Sequence, residues 1–374
     1  MKKEAKLLKN WFVSFKSIDH FFLQLTIALT SLGLLFAFSS STYESYRLTN
    51  SFWTFGIKQF FAFILGLLLL IVFKNLNYKF WYKATWILAL TMFAIMIITV
   101  FSPLGKISGG SQRWITIAGF QFQPAEITKF AVILLIVRLL TKYKWSQWKS
   151  YYYLIFAFVI IFIVLKQPDL GSASILLVVI LELLFIFGWP VWLLFIITTL
   201  LGFILYLKIN LTPYQMERIS YWLHPELDPQ GKGYSLIQAK YALALGGICG
   251  VGFGNSIQKQ GNLPIPHSDF IFAVISEEIG FLGISVILIL YISWILRGLY
   301  LTNKVENKYG RILGSAIIFL IGTQASINLA VAVGLMPVTG VTLPFFSCGG
   351  TSLIITLAMC GILFNILSTA KEVS

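Results

Sequence analysis

LGSASILLVVILELLFIFGWPVWLLFIITTLLGFILYLK, residues 170–208, decides the fold. Apart from Glu182 and the terminal Lys208 the stretch is uncharged, and only Gly188-Trp189-Pro190 interrupts its apolar run. A tight turn fits there, because proline is tolerated in the first turn of a helix. The stretch therefore reads as two spans, 170–188 and 190–208, joined by a short turn, and both need a solvent other than water.

The same pattern extends in both directions. Apolar segments of spanning length recur near 20–39, 52–73, 80–101, 124–141, 152–166, 270–296, 312–334 and 350–369, which makes about ten transmembrane helices in a single membrane domain over 1–374. Composition agrees: 58% of the 374 residues are hydrophobic, 11% are charged, and the mean hydropathy is +0.84. A soluble domain carries about 25% charge. The expected fold is an all-α integral membrane protein with no soluble domain. The first apolar run is long enough to stay as an anchor, so no cleaved signal is expected.

The net charge of +14 does not mark a nucleic-acid binder. Its lysines and arginines sit in short clusters between apolar runs, where they meet anionic lipid headgroups and set topology. Lys2, Lys3, Lys6, Lys9 and Lys16 precede the first span; Lys74, Lys79 and Lys83 follow the second; Lys142, Lys144 and Lys149 follow the fourth; Arg297, Lys304, Lys308 and Arg311 follow the eighth. Both termini, including the tail 1–19, are expected in the cytoplasm. The long segment of about 209–268 is expected outside, with an amphipathic stretch at 234–245 along the outer interface, because Tyr234, Ile237, Tyr241 and Leu245 recur at helical spacing. Its glycine-rich run 246–254 lacks the Lys-Ser/Thr ending of a phosphate-binding loop, so no nucleotide site is expected. Cys249, Cys348 and Cys360 show no paired spacing and read as small hydrophobes.

Only fourteen residues are acidic. Glu126, Asp169, Glu217, Glu226, Asp228, Asp269, Glu277 and Glu278 lie in or near the outer leaflet, where a carboxylate is costly and is either functional or paired. Asp269, in His267-Ser268-Asp269-Phe270, enters the eighth span as a helix cap or as a catalytic group, and position weighs the two evenly. Glu277 and Glu278 lie two turns deeper, and an internal pair with Lys or Arg is expected for Glu278. Glu126 and Lys129 are either an i,i+3 ion pair or, for Lys129, a phosphate contact. Arg113 is a phosphate fork or a headgroup anchor beside Trp114. Asp169 reads first as a cap. His20, His224 and His267 have no metal-ligand spacing. Reactive groups on a face without ATP must draw on energy already stored in the substrate; a lipid-linked pyrophosphate sugar has that property, and the deduction permits such a substrate without selecting it.

Four co-linear motifs resemble the SEDS family of cell-wall polymerases, the RodA and FtsW proteins. They are Gly110-Ser111-Gln112-Arg113-Trp114-Ile115, Gln123-Pro124-Ala125-Glu126-Ile127-Thr128-Lys129, Gln167-Pro168-Asp169-Leu170-Gly171-Ser172, and the run 263–280 with His267-Ser268-Asp269-Phe270 and Glu277-Glu278-Ile279-Gly280. The resemblance implies a multi-pass protein of the bacterial inner membrane that polymerises lipid II into glycan strands on the outer face and releases undecaprenyl pyrophosphate. It implies Asp269 as the catalytic base, with Arg113, Glu126, Lys129, Asp169, His267 and Glu277 contacting substrate. A divalent cation, magnesium or manganese, suits the family, though no dedicated cage is visible. A class B penicillin-binding protein is the expected partner, within the division or elongation machinery. Gly254-Asn255-Ser256-Ile257-Gln258-Lys259 favours the division member FtsW, while Lys240 after Gln238-Ala239 looks more like RodA. Ile265 departs from the family, which often has Glu there. The rival readings are a lipid II flippase and a scaffold.

Overall fold

The computed structural model describes residues 19–102, 105–108, 111–117, 120–167, 169–211 and 213–371. The first basic cluster, Lys2 to Lys16, lies outside the described residues. All ten apolar segments form helices: α1 (His20–Thr49), α2 (Thr54–Asn75), α3 (Lys79–Phe101), α4 (Pro124–Lys142), α5 (Trp148–Lys166), α6 (Leu170–Ile186), α7 (Val191–Leu211), α10 (Ile271–Asn303), α11 (Lys308–Ala332) and α12 (Gly350–Lys371). Two further helices, α8 (Pro213–Leu223) and α9 (Tyr234–Gly246), lie between α7 and α10. Seven of the ten are long and apolar enough to cross a membrane; α6 and α7 are shorter apolar helices. α4 carries Glu126, Lys129, Arg138 and Lys142 on an otherwise apolar sequence.

Burial orders the bundle. Of the spanning window, 83% is covered by protein in α11 against 28% in α2 and α3, so α11 is central and α2 and α3 are peripheral. Phe60, Phe61, Leu68, Ile87 and Leu90 are accordingly exposed, as side chains meeting lipid should be. Between helices, small residues admit close approach. A Cβ on Gly361 would stand 2.3 Å from the Leu70 carbonyl oxygen, and one on Gly33 would stand 2.1 Å from that of Phe345.

Two features were not legible in the sequence. Residues β1 (Gly105–Ser108), β2 (Ser111–Ile117) and β3 (Phe120–Phe122) form a three-stranded antiparallel sheet between α3 and α4, with Ile115 opposite both Gly105 and Phe122. This sheet carries Arg113. The second feature is the packing of α9 against α10: Leu236, Ala239, Ala242 and Gly246 are buried, while Tyr241 and Leu245 of the anticipated stripe face outward. A Cβ on Gly246 would meet the Ser276 carbonyl at 2.2 Å. The small residues win the contact because they let two backbones touch.

The glycine-rich run then forms the tip of a re-entrant segment, reaching past Ser276 to Leu282, roughly 8–16 Å along α10 from its start. Irregular backbone at that depth must be satisfied by protein. α10 supplies the partners by breaking at Gly280 (φ 65°, ψ −172°). Phe281 N donates to Gly247 O at 2.9 Å and Leu282 N to Ile248 O at 3.1 Å, while Val251 N and Gly252 N donate to the carbonyls of Glu277 and Glu278. Gly280→Ala should therefore destabilise the protein by ~1–3 kcal/mol from its backbone angle alone. The clash adds to this, since the new Cβ would sit 2.3 Å from Gly250 N. Thermal unfolding in detergent checks this; an unchanged midpoint would reject the contact.

Candidate functional site

Asp269 sits where the chain enters α10, but it does not cap it. The cap position is Phe270, and no side chain fills it. Oδ1 of Asp269 instead accepts from Ser268 Oγ at 3.0 Å, and the side chain is half-buried. The backbone around it is clamped from α11 and from the segment leading to α12. Asn328 Nδ2 donates to Asp269 O at 3.0 Å and to Val341 O at 2.7 Å. Ser347 Oγ donates to Ser268 O at 2.7 Å, and Cys348 N to His267 O at 2.8 Å.

The free side of the carboxylate faces Gly340. That residue has φ 72°, and a Cβ built on it would lie 3.6 Å from Asp269 Oδ2 and 3.8 Å from Arg113 Nη1. Glycine keeps a gap there into which both functional groups project. Arg113, delivered by β2, is fixed by its Nε donating to Gln167 O at 3.2 Å. Gln167 immediately precedes the turn into α6, whose cap is Asp169: its carboxylate accepts from Ser172 N at 3.0 Å and Ser172 Oγ at 2.9 Å. Gly171 lets the turn abut the Thr339 carbonyl. Four chain segments thus converge on one space.

Electrostatically, burial raises the Asp269 carboxyl above its ordinary value. The Ser268 hydroxyl, then the guanidiniums of Arg113 and Arg218, pull it back down, and the Asp169 charge pushes it up. The raise prevails. Arg218 comes from α8, which is tied to the residues after α11 by Trp222 Nε1 donating to Gly334 O at 2.9 Å. The site therefore offers a carboxylate of raised basicity, one anchored guanidinium, Arg113, and the more distant charge of Arg218.

The other anticipated residues are less directly placed. Lys129 is 2% exposed; its ammonium is held by Glu126 Oε1 at 2.9 Å and Gln324 Oε1 at 2.7 Å. Gln324 passes the contact on, donating to the carbonyl and hydroxyl of Thr342 at 3.1 and 3.0 Å, two residues beyond Gly340. His267 turns its ring onto Phe55, with centroids 5.2 Å apart, rather than toward Asp269. Burial pushes its pKa down to about 4, so it is neutral at physiological pH, and its Nδ1 has no partner. Glu277 is fully buried and binds Ser256 Oγ, Ile257 N and Gln258 N. Glu278 pairs with Lys259, as expected for an internal charge.

Sequence reasoning passed over Arg218, Gln324, Asn328 and Gly340. A signal existed for two of them: Gln324 and Asn328 are amides four residues apart in an apolar span, hence on one face. Among the described residues no three His, Cys, Asp or Glu side chains converge to hold a metal. The charges acting on Asp269 are mixed, Arg113 and Arg218 against Asp169, and they do not build a metal cage.

A bundle of apolar helices with a carboxylate and two guanidiniums gathered where loops meet helix ends defines a multi-pass membrane protein with a polar reaction chamber. The chain belongs to the FtsW/RodA/SpoVE family, whose model, described as "Cell cycle protein", matches residues 19–372. Stage V sporulation protein E of Bacillus subtilis is 33% identical, covering 91% of this chain and 94% of that protein. A probable peptidoglycan glycosyltransferase FtsW of Geobacter metallireducens is also 33% identical, over 97% and 98% respectively. Among solved structures, a chain of a peptidoglycan synthase complex coordinating polymerization and crosslinking superposes with TM-score 0.78 at 28% identity, covering 94% of this chain and 98% of that one. The rod shape determining protein RodA of Thermus thermophilus gives 0.69 at 26% identity, covering 94% and 96%.

Proposed function

We propose that this protein is a peptidoglycan glycosyltransferase that joins lipid II units on the outer face of the bacterial inner membrane. The observation that carries the reading is the convergence of Asp269 Oδ2 and Arg113 Nη1 on Gly340, each within 4 Å of where its Cβ would stand. The acceptor sugar's 4-hydroxyl oxygen attacks the donor's anomeric carbon; its proton passes to the Asp269 carboxylate. The new C–O glycosidic bond forms as the bond from the anomeric carbon to the pyrophosphate oxygen breaks, and undecaprenyl pyrophosphate leaves with the electron pair. Arg113 and Arg218 neutralise the charge that develops there, Arg113 through its planar fork. Asp169 and Glu126–Lys129 support from behind, the first by fixing the α6 turn that carries Gln167, the second by bracing Thr342.

The FtsW relatives support a division role, and the likeness to RodA supports elongation as the alternative. A class B penicillin-binding protein is the proposed partner; the likeness to a chain of a synthase complex supports it. The test is reconstitution into vesicles with labelled lipid II and that partner. Polymer retained by the wild type supports the reading; labelled lipid II crossing the bilayer with no polymer would favour the flippase.

Topology has its own check. In a background with Cys249 replaced by serine, Gln230→Cys at the exposed turn of the α8–α9 segment should react with a membrane-impermeant maleimide added to intact spheroplasts. Reaction only after lysis would reverse the proposed orientation.

A further inference from the structure

The return limb of the re-entrant segment is tied down by two consecutive glutamates. Glu277 holds Ser256, Ile257 N and Gln258 N from one side. Glu278 Oε1 meets Lys259 Nζ at 2.6 Å and Ser39 Oγ at 2.7 Å, and Lys259 Nζ meets Ser39 Oγ at 2.9 Å, which closes a triangle between α1, α10 and the limb. Lys259, Glu278 and Ser39 are 5%, 1% and 7% exposed. From Lys259 seven residues, 260–266, with Leu263, Pro264, Ile265 and Pro266 last, lead to His267. Leu263 N is bonded to Gln258 O at 2.8 Å.

Ile265 has φ 50°, although its side chain is 54% exposed and packing does not compel the angle. A β-branched residue in the left-handed region is strained and persists only where its surroundings enforce it. One end of the strained link is held by His267 on Phe55 and by the Cys348 N to His267 O bond. The other end is held by the triangle. With the far end released, Ile265 would be free to return to negative φ, and that movement would pull on Ser268 and Asp269 against the bonds from Asn328, Ser347 and Cys348.

We propose that Lys259, Glu278 and Ser39 are positioning residues, a latch that keeps Asp269 opposite Arg113 by holding the far end of the strained Pro264–Pro266 link. The inference rests on the glycosyl-transfer reading above. An ion pair suits the task because it specifies one arrangement, whereas apolar residues of similar volume would supply stability without that geometry.

The experiment compares wild type with Lys259→Met/Glu278→Leu in vesicles with labelled lipid II. The double variant should unfold near the wild-type temperature, with kcat lowered ~10- to 100-fold and KM within about twofold, because a displaced base costs rate and not ground-state binding. The acid limb of its rate profile should also move as Asp269 changes distance from Arg113. Hydrogen exchange over 256–269 should rise, and this readout needs no turnover. An inactive wild type would sink the glycosyl-transfer reading; unchanged exchange in the variant would sink the latch. Wild-type kcat in the variant, or a rate loss that only follows the loss of folded protein, would also overturn it. If the double variant does not fold, Ser39→Ala removes one edge of the triangle and is judged by the same kcat, KM and exchange criteria.

Discussion

Asp269→Asn should bring glycan polymerisation to background, a loss of ~10²–10⁴-fold, while the protein folds normally. The amide keeps the size and can still accept from Ser268, so what disappears is the capacity to take a proton. Burial raises the Asp269 carboxyl, so its ionised form is disfavoured in the fold. The sign of the linkage follows. A carboxylate with a raised folded pKa contributes stability below its unfolded value, and that contribution is lost as pH rises through the folded value. At neutral pH the ionised group is therefore a cost, and Asn should leave the unfolding temperature unchanged or higher. A capping aspartate would show the reverse, losing stability on mutation. In wild type, rate should climb with pH through a midpoint above the ordinary carboxylate range as the base ionises. Polymerisation by the variant at the wild-type rate would dismiss Asp269 as the base.

How far this was readable in advance depended on range. Helices follow from runs of apolar residues, so all ten segments could be placed, and the turn at Gly188-Trp189-Pro190 separates α6 from α7 as its glycine and proline suggest. Asp169 as a cap and Glu278 as a paired charge are also local facts, one set by the helix start and the other by the cost of an unpaired charge in a span. The packing of α9 against α10 escaped, because the stripe of large residues directed attention to the outer interface and away from the small-residue face. The contact is made instead by Ala239, Ala242 and Gly246, which only the opposing Ser276 backbone makes informative. Arg218 escaped for a similar reason: nothing near it in the chain announces that α8 is tied to Gly334, or that its charge acts on Asp269. Gly340 looks like any turn glycine until Asp269 and Arg113 are both found within 4 Å of where its Cβ would stand.

Lys129→Met should cost ~3–5 kcal/mol of stability, since it leaves a buried carboxylate without its counter-charge. Glu126 is 7% exposed and Lys129 is its ion-pair partner, while Gln324 Oε1 would lose its donor as well. The loss should spread, because Gln324 anchors Thr342 and thus the segment that presents Gly340 to Asp269. Glu126→Gln alone should be comparably harmful, stranding an ammonium in place of a carboxylate. Combining the two changes removes both charges, and the double variant should recover most of the stability lost by either single one; a thermodynamic cycle over the four proteins measures that coupling. The cycle also separates the two roles open to Lys129. A phosphate ligand would announce itself as a raised KM with a nearly unchanged unfolding temperature, and restoring neutrality with Glu126→Gln would not repair it. A brace, as the geometry of α4, α11 and Thr342 argues, loses stability first and activity in proportion, and regains both when the charge is balanced.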